Sequence, residues 1–264
     1  MTTSIPPVFL DMLVLTHASW RPILRRGLDA MANADPTYLP ALAQDTYLPT
    51  DGRLFAAFAQ PLEAVRYVLV GEGPYPRPES ATGLCFMDGA VDALWSDKGF
   101  SKQVNRATSL RNFMKMLLVA DKQLIPGQTG SEAMESIAAK ARAAGSPFIQ
   151  TRTELEANLA RHGFLLLNAA LVFRPHVPPL KEARAWQPFL QTVLAALADQ
   201  ASEHRRPQPT LVLWGKIAEQ LNGLPPTNRF RKVASEHPYN LSFIASATMQ
   251  DLFEPMHLLQ TQAG

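Results

Sequence analysis

The 264-residue chain contains one cysteine, Cys85. That excludes an internal disulfide, a zinc ribbon and a four-cysteine iron–sulfur cluster. Long apolar runs are missing too: no stretch reaches the ~18 consecutive residues of a membrane-spanning helix, so no membrane partner is expected. The opening MTTSIPPVFLDMLVL has neither the basic start nor the small-residue cleavage site of a secretory signal. With the lone thiol, this points to a reducing, cytoplasmic location. Charge of one sign is scarce: 25 Lys and Arg against 23 Asp and Glu leave a formal +2, with a pI near 8.7. That balance permits an anionic partner without requiring one. There is no internal repeat and no dinucleotide fingerprint. His17, His162, His176, His204 and His257 lack metal-ligand spacing, so no metal and no organic cofactor is expected.

Apolar residues are plentiful, at 47% against 18% charged, enough for a substantial core. They fall into four dense runs, RYVLVG (66–71), FLLLNA (164–169), TLVLWG (210–215) and the weaker RKVASEHP (231–238). Continuous runs of this kind belong to strands buried on both faces. Helical periodicity separates them, over about 108–121, 131–144, 152–161, 182–200 and 216–221. Earlier, Leu10, Leu13, Val14, Trp20, Ile23, Leu24 and Leu28 predict one or two helices broken at Pro22. The proline-rich RPHVPPLKEARAW (174–186) and LPPTNRF (224–230) read as surface loops, and the tail from Asp251 as a short helix that then frays. The expected fold is α/β, a three-layer α/β/α sandwich around a central, mostly parallel four-stranded sheet. It would form one domain over 1–264, with residues 1–60 as a helical and irregular extension and 61–255 as the core.

In such a sheet the carboxyl ends of the strands share one edge, where ligands bind. The first run ends in Gly71-Glu72-Gly73, the second in Asn168, the third in Gly215-Lys216 and the fourth in Glu236-His237-Pro238. A carboxylate, an amide and an imidazole are therefore expected at that edge.

Those strand ends carry a resemblance. GEGPYP (71–76), GLCF (83–86), SLRN (109–112), LLLNA (165–169), Trp186, LVLWG (211–215) and HPYNLS (237–242) follow one another. In that order they resemble the motifs of the uracil-DNA glycosylase superfamily, in particular its uracil-specific branch without an iron–sulfur cluster. The resemblance spans residues 66 to 253 and implies a DNA glycosylase. Such an enzyme hydrolyses the N-glycosidic bond of uracil in DNA to leave an abasic site, the range of other deaminated bases being left open. It implies that Phe86 stacks on a flipped-out base and that Tyr75 walls the pocket against a 5-methyl group. Asn168 would read the base edge, with Gly71 and Gly73 beside it, and His237 would donate to the carbonyl that gathers charge. Leu241 would fill the gap in the stack. Ser109 and Ser242 would grip phosphates, helped by Arg77, Arg111 and Lys216. Extrusion followed by stacking and edge reading is what chemistry on a paired base requires. DNA is the implied partner, of a monomer.

The opening motif departs from the branch at two places: Gly73 stands where an aspartate orients water, and Pro76 where a histidine ends the motif. Glu72 precedes Gly73, as a Glu does in the GEAPG-like motifs of other branches, and is the carboxylate expected to orient water or steady the sugar cation. Two readings stay open at this point. One is a glycosylase using Glu72, His237 and Asn168. The other is a catalytically silent homologue that binds damaged or single-stranded DNA, or a partner protein, through the retained pocket.

Overall fold

A computed structural model describes residues 5–261. In chain order the elements are α1 (Pro7–Met12), α2 (Arg21–Ala34), α3 (Tyr38–Ala43), β1 (Tyr67–Gly71), β2 (Trp95–Ser96) and β3 (Gly99–Phe100). There follow α4 (Lys102–Arg106), α5 (Thr108–Ala120), α6 (Ser131–Arg142), α7 (Arg152–Arg161), β4 (Phe164–Asn168) and α8 (Pro179–Glu203). The chain closes with β5 (Thr210–Trp214), α9 (Ile217–Asn222), β6 (Arg231–Ser235) and α10 (Ala247–Phe253). A parallel sheet in the order β4-β1-β5-β6 is surrounded by helices, as the sequence leads one to expect.

The chain divides into two compact units. The first comprises Met1–Cys85, Gly163–Leu213 and Ile217–Val233. Here β1 runs parallel to β4 and β5, with Leu69 opposite Leu166 and Val212, and Gly71 opposite Asn168. Every residue of β4 is buried, which explains its uninterrupted apolar run. The N-terminal segment is part of this core: Phe9, Trp20, Leu24 and Leu28 are fully enclosed. Pro22 opens α2 within its first turn, where its missing N–H costs nothing; Val14, expected on an apolar face, is exposed. Helix α2 packs on α8. A Cβ at Gly27 would stand 2.6 Å from the Phe189 ring, so the close approach depends on that glycine.

Two expected surface loops are only partly irregular. Residues 179–186 form the start of α8, with Pro179 in its first turn and Glu182 and Trp186 buried. Prolines that look like breakers are here helix initiators. Residues 225–229 form a 3-10 turn around the fully buried Thr227, whose hydroxyl donates to Leu221 and Leu224 carbonyls.

The second unit comprises Phe86–His162, Trp214–Lys216 and Ala234–Gly264. Helix α7 opens on a reciprocal cap. The Glu154 amide donates to the Thr151 hydroxyl, and the Glu154 carboxylate accepts from the Thr151 amide. The tail does not fray through residue 261: Leu258 and Leu259 are buried, and Asn158 Nδ2 donates to the Leu258 and Gln260 carbonyls.

Candidate active site

In the first unit, β1 and β4 end side by side and their backbones stay zipped beyond the strands. The Ala169 amide donates to the Gly71 carbonyl at 2.8 Å and the Ala170 amide to the Glu72 carbonyl at 3.2 Å. Asn168, 2% exposed, closes β4. Its Oδ1 is enclosed and has no hydrogen-bond donor. A buried amide oxygen without a partner costs about 1–3 kcal/mol, a penalty that a ligand N–H would remove. Gly71 admits this side chain: a Cβ there would lie 2.8 Å from Asn168 Oδ1 and 2.8 Å from Cys85 Cβ.

Cys85 is buried and its Sγ donates to the Leu69 carbonyl at 3.2 Å. Burial pushes its thiol well above the usual range, so it is a packing residue, not a nucleophile. Glu72 and Gly73 are exposed on the loop, with Pro74 and Tyr75 half-buried behind them. A Cβ at Gly73 would meet only the Ala170 carbonyl, at 3.6 Å. Nothing steric therefore excludes an aspartate at this position. Arg77 is exposed and lies 4.0 Å from Glu79.

In the second unit, Phe86 adopts φ +67°, a left-handed backbone that non-glycine residues rarely hold. Its ring packs edge-on against Trp214 (4.9 Å between centroids) and Phe113 (5.4 Å). Trp214 in turn packs edge-on against Phe243, and its Nε1 donates to Met249 Sδ. The aromatic cluster fixes the plane of Phe86.

His237 sits on the turn after β6 and is exposed. The Tyr239 amide donates to its Nδ1 at 3.1 Å, so the neutral ring carries its proton on Nε2 and donates from there. Gly215, at φ +67°, lets the turn approach, since a Cβ would lie 2.9 Å from His237 Cβ. The turn is held by Asn112, a residue to which the sequence alone gives no role. Fully buried on α5, it donates from Nδ2 to the Pro238 carbonyl at 2.8 Å and the Tyr239 carbonyl at 3.3 Å. An amide next to Phe113 and Met114 on the buried face of α5 is the signal available in the sequence.

Leu241 and Ser242 follow on an exposed 3-10 turn, with Leu241 70% exposed. Such exposure of a leucine fits an apolar wedge. Ser109 is half-buried in the first turn of α5 and Lys216 is exposed. Arg111 donates to the Asn105 carbonyl and Asn112 Oδ1. One turn on, Lys115 donates to the Thr129 carbonyl; burial, then the Arg111 charge, lowers its pKa. Among the described residues no group of three or more His, Cys, Asp or Glu could hold a metal ion.

A parallel sheet with an amide, a carboxylate and an imidazole following its strands, on this sequence of motifs, defines a class. Residues 59–257 match the family model described as "Uracil DNA glycosylase superfamily", and the chain belongs to that superfamily. It is similar to the wild-type UNG of Nitratifractor salsuginis, whose crystal structure superposes with a TM-score of 0.85 at 38% identity, covering 96% of each chain. The uracil-DNA glycosylase of Nocardioides sp. is 31% identical over 199 residues, 75% of this chain and 67% of that one. That of Corynebacterium glutamicum is 29% identical over 215 residues, 78% and 73% of the two chains. The mimivirus uracil-DNA glycosylase structure, at 16% identity and a TM-score of 0.54 over 88% of this chain and 73% of that one, shares the fold. No helix among the described residues is long and apolar enough to cross a membrane.

Proposed function

We propose that this chain excises uracil from DNA by hydrolysing its N-glycosidic bond, acting as a monomer in the cytoplasm and leaving an abasic site. The observation that carries the reading is the enclosed, donor-less Oδ1 of Asn168. Uracil offers an N3–H to this acceptor and O4 to the neighbouring Nδ2. Cytosine has a lone pair at N3 and an amine at C4, so both contacts become mismatches. A site built to hydrogen-bond one edge rejects the wrong edge strongly.

Phe86 supplies the stacking face, Tyr75 the wall, and Gly71 and Gly73 the close backbone. As the bond breaks, the electron pair passes to the base and positive charge develops on the sugar. The Nε2–H of His237 donates to the anionic base, a contribution on the order of 10²–10³-fold. Glu72, the carboxylate on the loop after β1, orients the water that attacks the sugar and steadies the cation. A general base typically adds about 10²–10⁴-fold. Leu241 takes the place of the extruded nucleotide, and Arg77, Ser109, Arg111, Lys216 and Ser242 hold the phosphates.

The test is to incubate wild type and Glu72→Gln with oligonucleotides, each carrying one modified base, and to probe for alkali-labile sites. Cleavage at uracil that falls at least tenfold in Glu72→Gln supports the reading. Equal rates remove the role of Glu72. Binding without cleavage of any oligonucleotide makes the chain a silent homologue, the reading that the missing side chain at Gly73 favours.

A further inference from the structure

A second polar cluster is buried in the first unit, inside the segment expected to be a surface loop. Arg174 is 8% exposed and Glu182 3%. Arg174 Nε donates to Glu182 Oε1 at 2.6 Å and its Nη1 to Asp45 Oδ2 at 3.0 Å. The guanidinium lies over the Tyr38 ring, 5.4 Å from its centroid. The Tyr38 hydroxyl donates to the other Glu182 oxygen at 2.5 Å, and His176 Nε2 lies 2.9 Å from Asp45 Oδ2. Burial, then the contact with Glu182, pushes the Tyr38 phenol far up, so it stays a donor.

The cluster stands at one end of a five-residue strap, Ala169–Phe173. At the other end are Asn168 and the two amides bonded to Gly71 and Glu72. Between them, Phe173 exchanges two backbone hydrogen bonds with Leu48, of 2.9 and 3.0 Å. Leu171 and Val172 are buried. Whatever fixes Arg174 therefore fixes the strap, and the strap is hydrogen-bonded to the backbone of Gly71 and Glu72.

Stability does not account for the charges. Replacing a buried ion pair by apolar groups of similar volume is often neutral or stabilising, while the pair fixes geometry through its hydrogen-bond directions. We propose that Arg174 and Glu182 are positioning residues for base excision: the hydrogen bonds that tie Arg174 to Glu182 and Asp45 set the path of the strap and so the placement of Glu72 and Asn168. This deepens the function proposed above and rests on it.

The test is the double variant Arg174→Met/Glu182→Met, which removes both charges together and keeps the volume. Three quantities are read: the Tm, kcat and KM on a uracil-containing oligonucleotide, and hydrogen exchange at the Ala169 and Ala170 amides. A shift of about 1 Å in a reacting group can cost on the order of 10²-fold. The expected result is a kcat lower by about tenfold or more, KM unchanged, faster exchange at the Ala169 and Ala170 amides, and a Tm lowered because Asp45 loses the Arg174 donor and the Tyr38 hydroxyl its acceptor. Wild-type kcat with wild-type exchange overturns the proposal. If the double variant does not fold, Arg174→Lys, which keeps the charge but loses the separate Nε and Nη1 bonds to Glu182 and Asp45, decides by the same readouts: a kcat lower by about tenfold with faster exchange supports the proposal, and wild-type values of both overturn it. If the wild type releases no uracil, the proposed function fails; amide exchange then decides this inference alone, and unchanged protection overturns it.

Discussion

Asn168 Oδ1 lies 2.8 Å from where a Cβ on Gly71 would stand. The two residues are register partners at the ends of β4 and β1, so the glycine defines the position of the amide. Gly71→Ala forces Asn168 or Cys85 to move. Overpacking of this kind costs about 1–3 kcal/mol. We expect a lower denaturant midpoint in equilibrium unfolding and a kcat reduced by about tenfold or more, since the displaced group is the one proposed to read the base.

Asn112 holds the His237 turn through two carbonyls. Asn112→Ala leaves both without that donor, at about 1–3 kcal/mol for a buried unsatisfied group. Steady-state kinetics should show kcat falling by about tenfold, with KM little changed, because the turn's tie to α5 is lost while the imidazole is kept.

Gly73 tests the water-orienting role from the other side. Its backbone is not left-handed and the nearest atom to a new Cβ is 3.6 Å away, so Gly73→Asp should fold with an unchanged Tm. A second carboxylate one residue from Glu72 should raise single-turnover excision, by up to about 10²-fold for a well-placed base. An unchanged rate would place the water beyond reach of position 73.

The four strands and the helices between them were legible because strands buried on both faces leave unbroken apolar runs, and β1, β4 and β5 are of that kind. Gly71, Asn168 and His237 were legible for a related reason: each closes or follows a strand. The Arg174 cluster was not. Its partners Asp45 and Tyr38 come from 129 and 144 residues away from Arg174 and Glu182, and the prolines beside it mark a helix start as well as a loop. Asn112 closes the SLRN motif, but a motif does not say that its amide reaches the carbonyls of residues 238 and 239.

Acid stability should depend on Asp45. The hydrogen bond from Arg174, followed by that of Thr46 and the contact with His176, holds its carboxyl below the ordinary value against a smaller opposing effect of burial. A carboxyl lowered on folding stabilises the native state above its unfolded pKa, about 3.9, and loses that contribution as pH falls through the folded value. Asp45→Asn should therefore melt below wild type at pH 7. The gap should close once the pH has fallen below the lowered folded value. A gap that persists there would mean that the charge of Asp45 is not its source.

The central claim is base excision read by Asn168, and the most direct measurement identifies the released base. Matched single-stranded oligonucleotides carry one uracil or one cytosine at the same position. Free base is measured by mass and abasic sites by alkaline cleavage. The account predicts free uracil in equal amount to abasic sites, no release of cytosine, and uracil release lower by about 10² or more in Asn168→Ala. Uracil release by Asn168→Ala at the wild-type rate, or no release by a wild-type protein that binds the oligonucleotide, would contradict it.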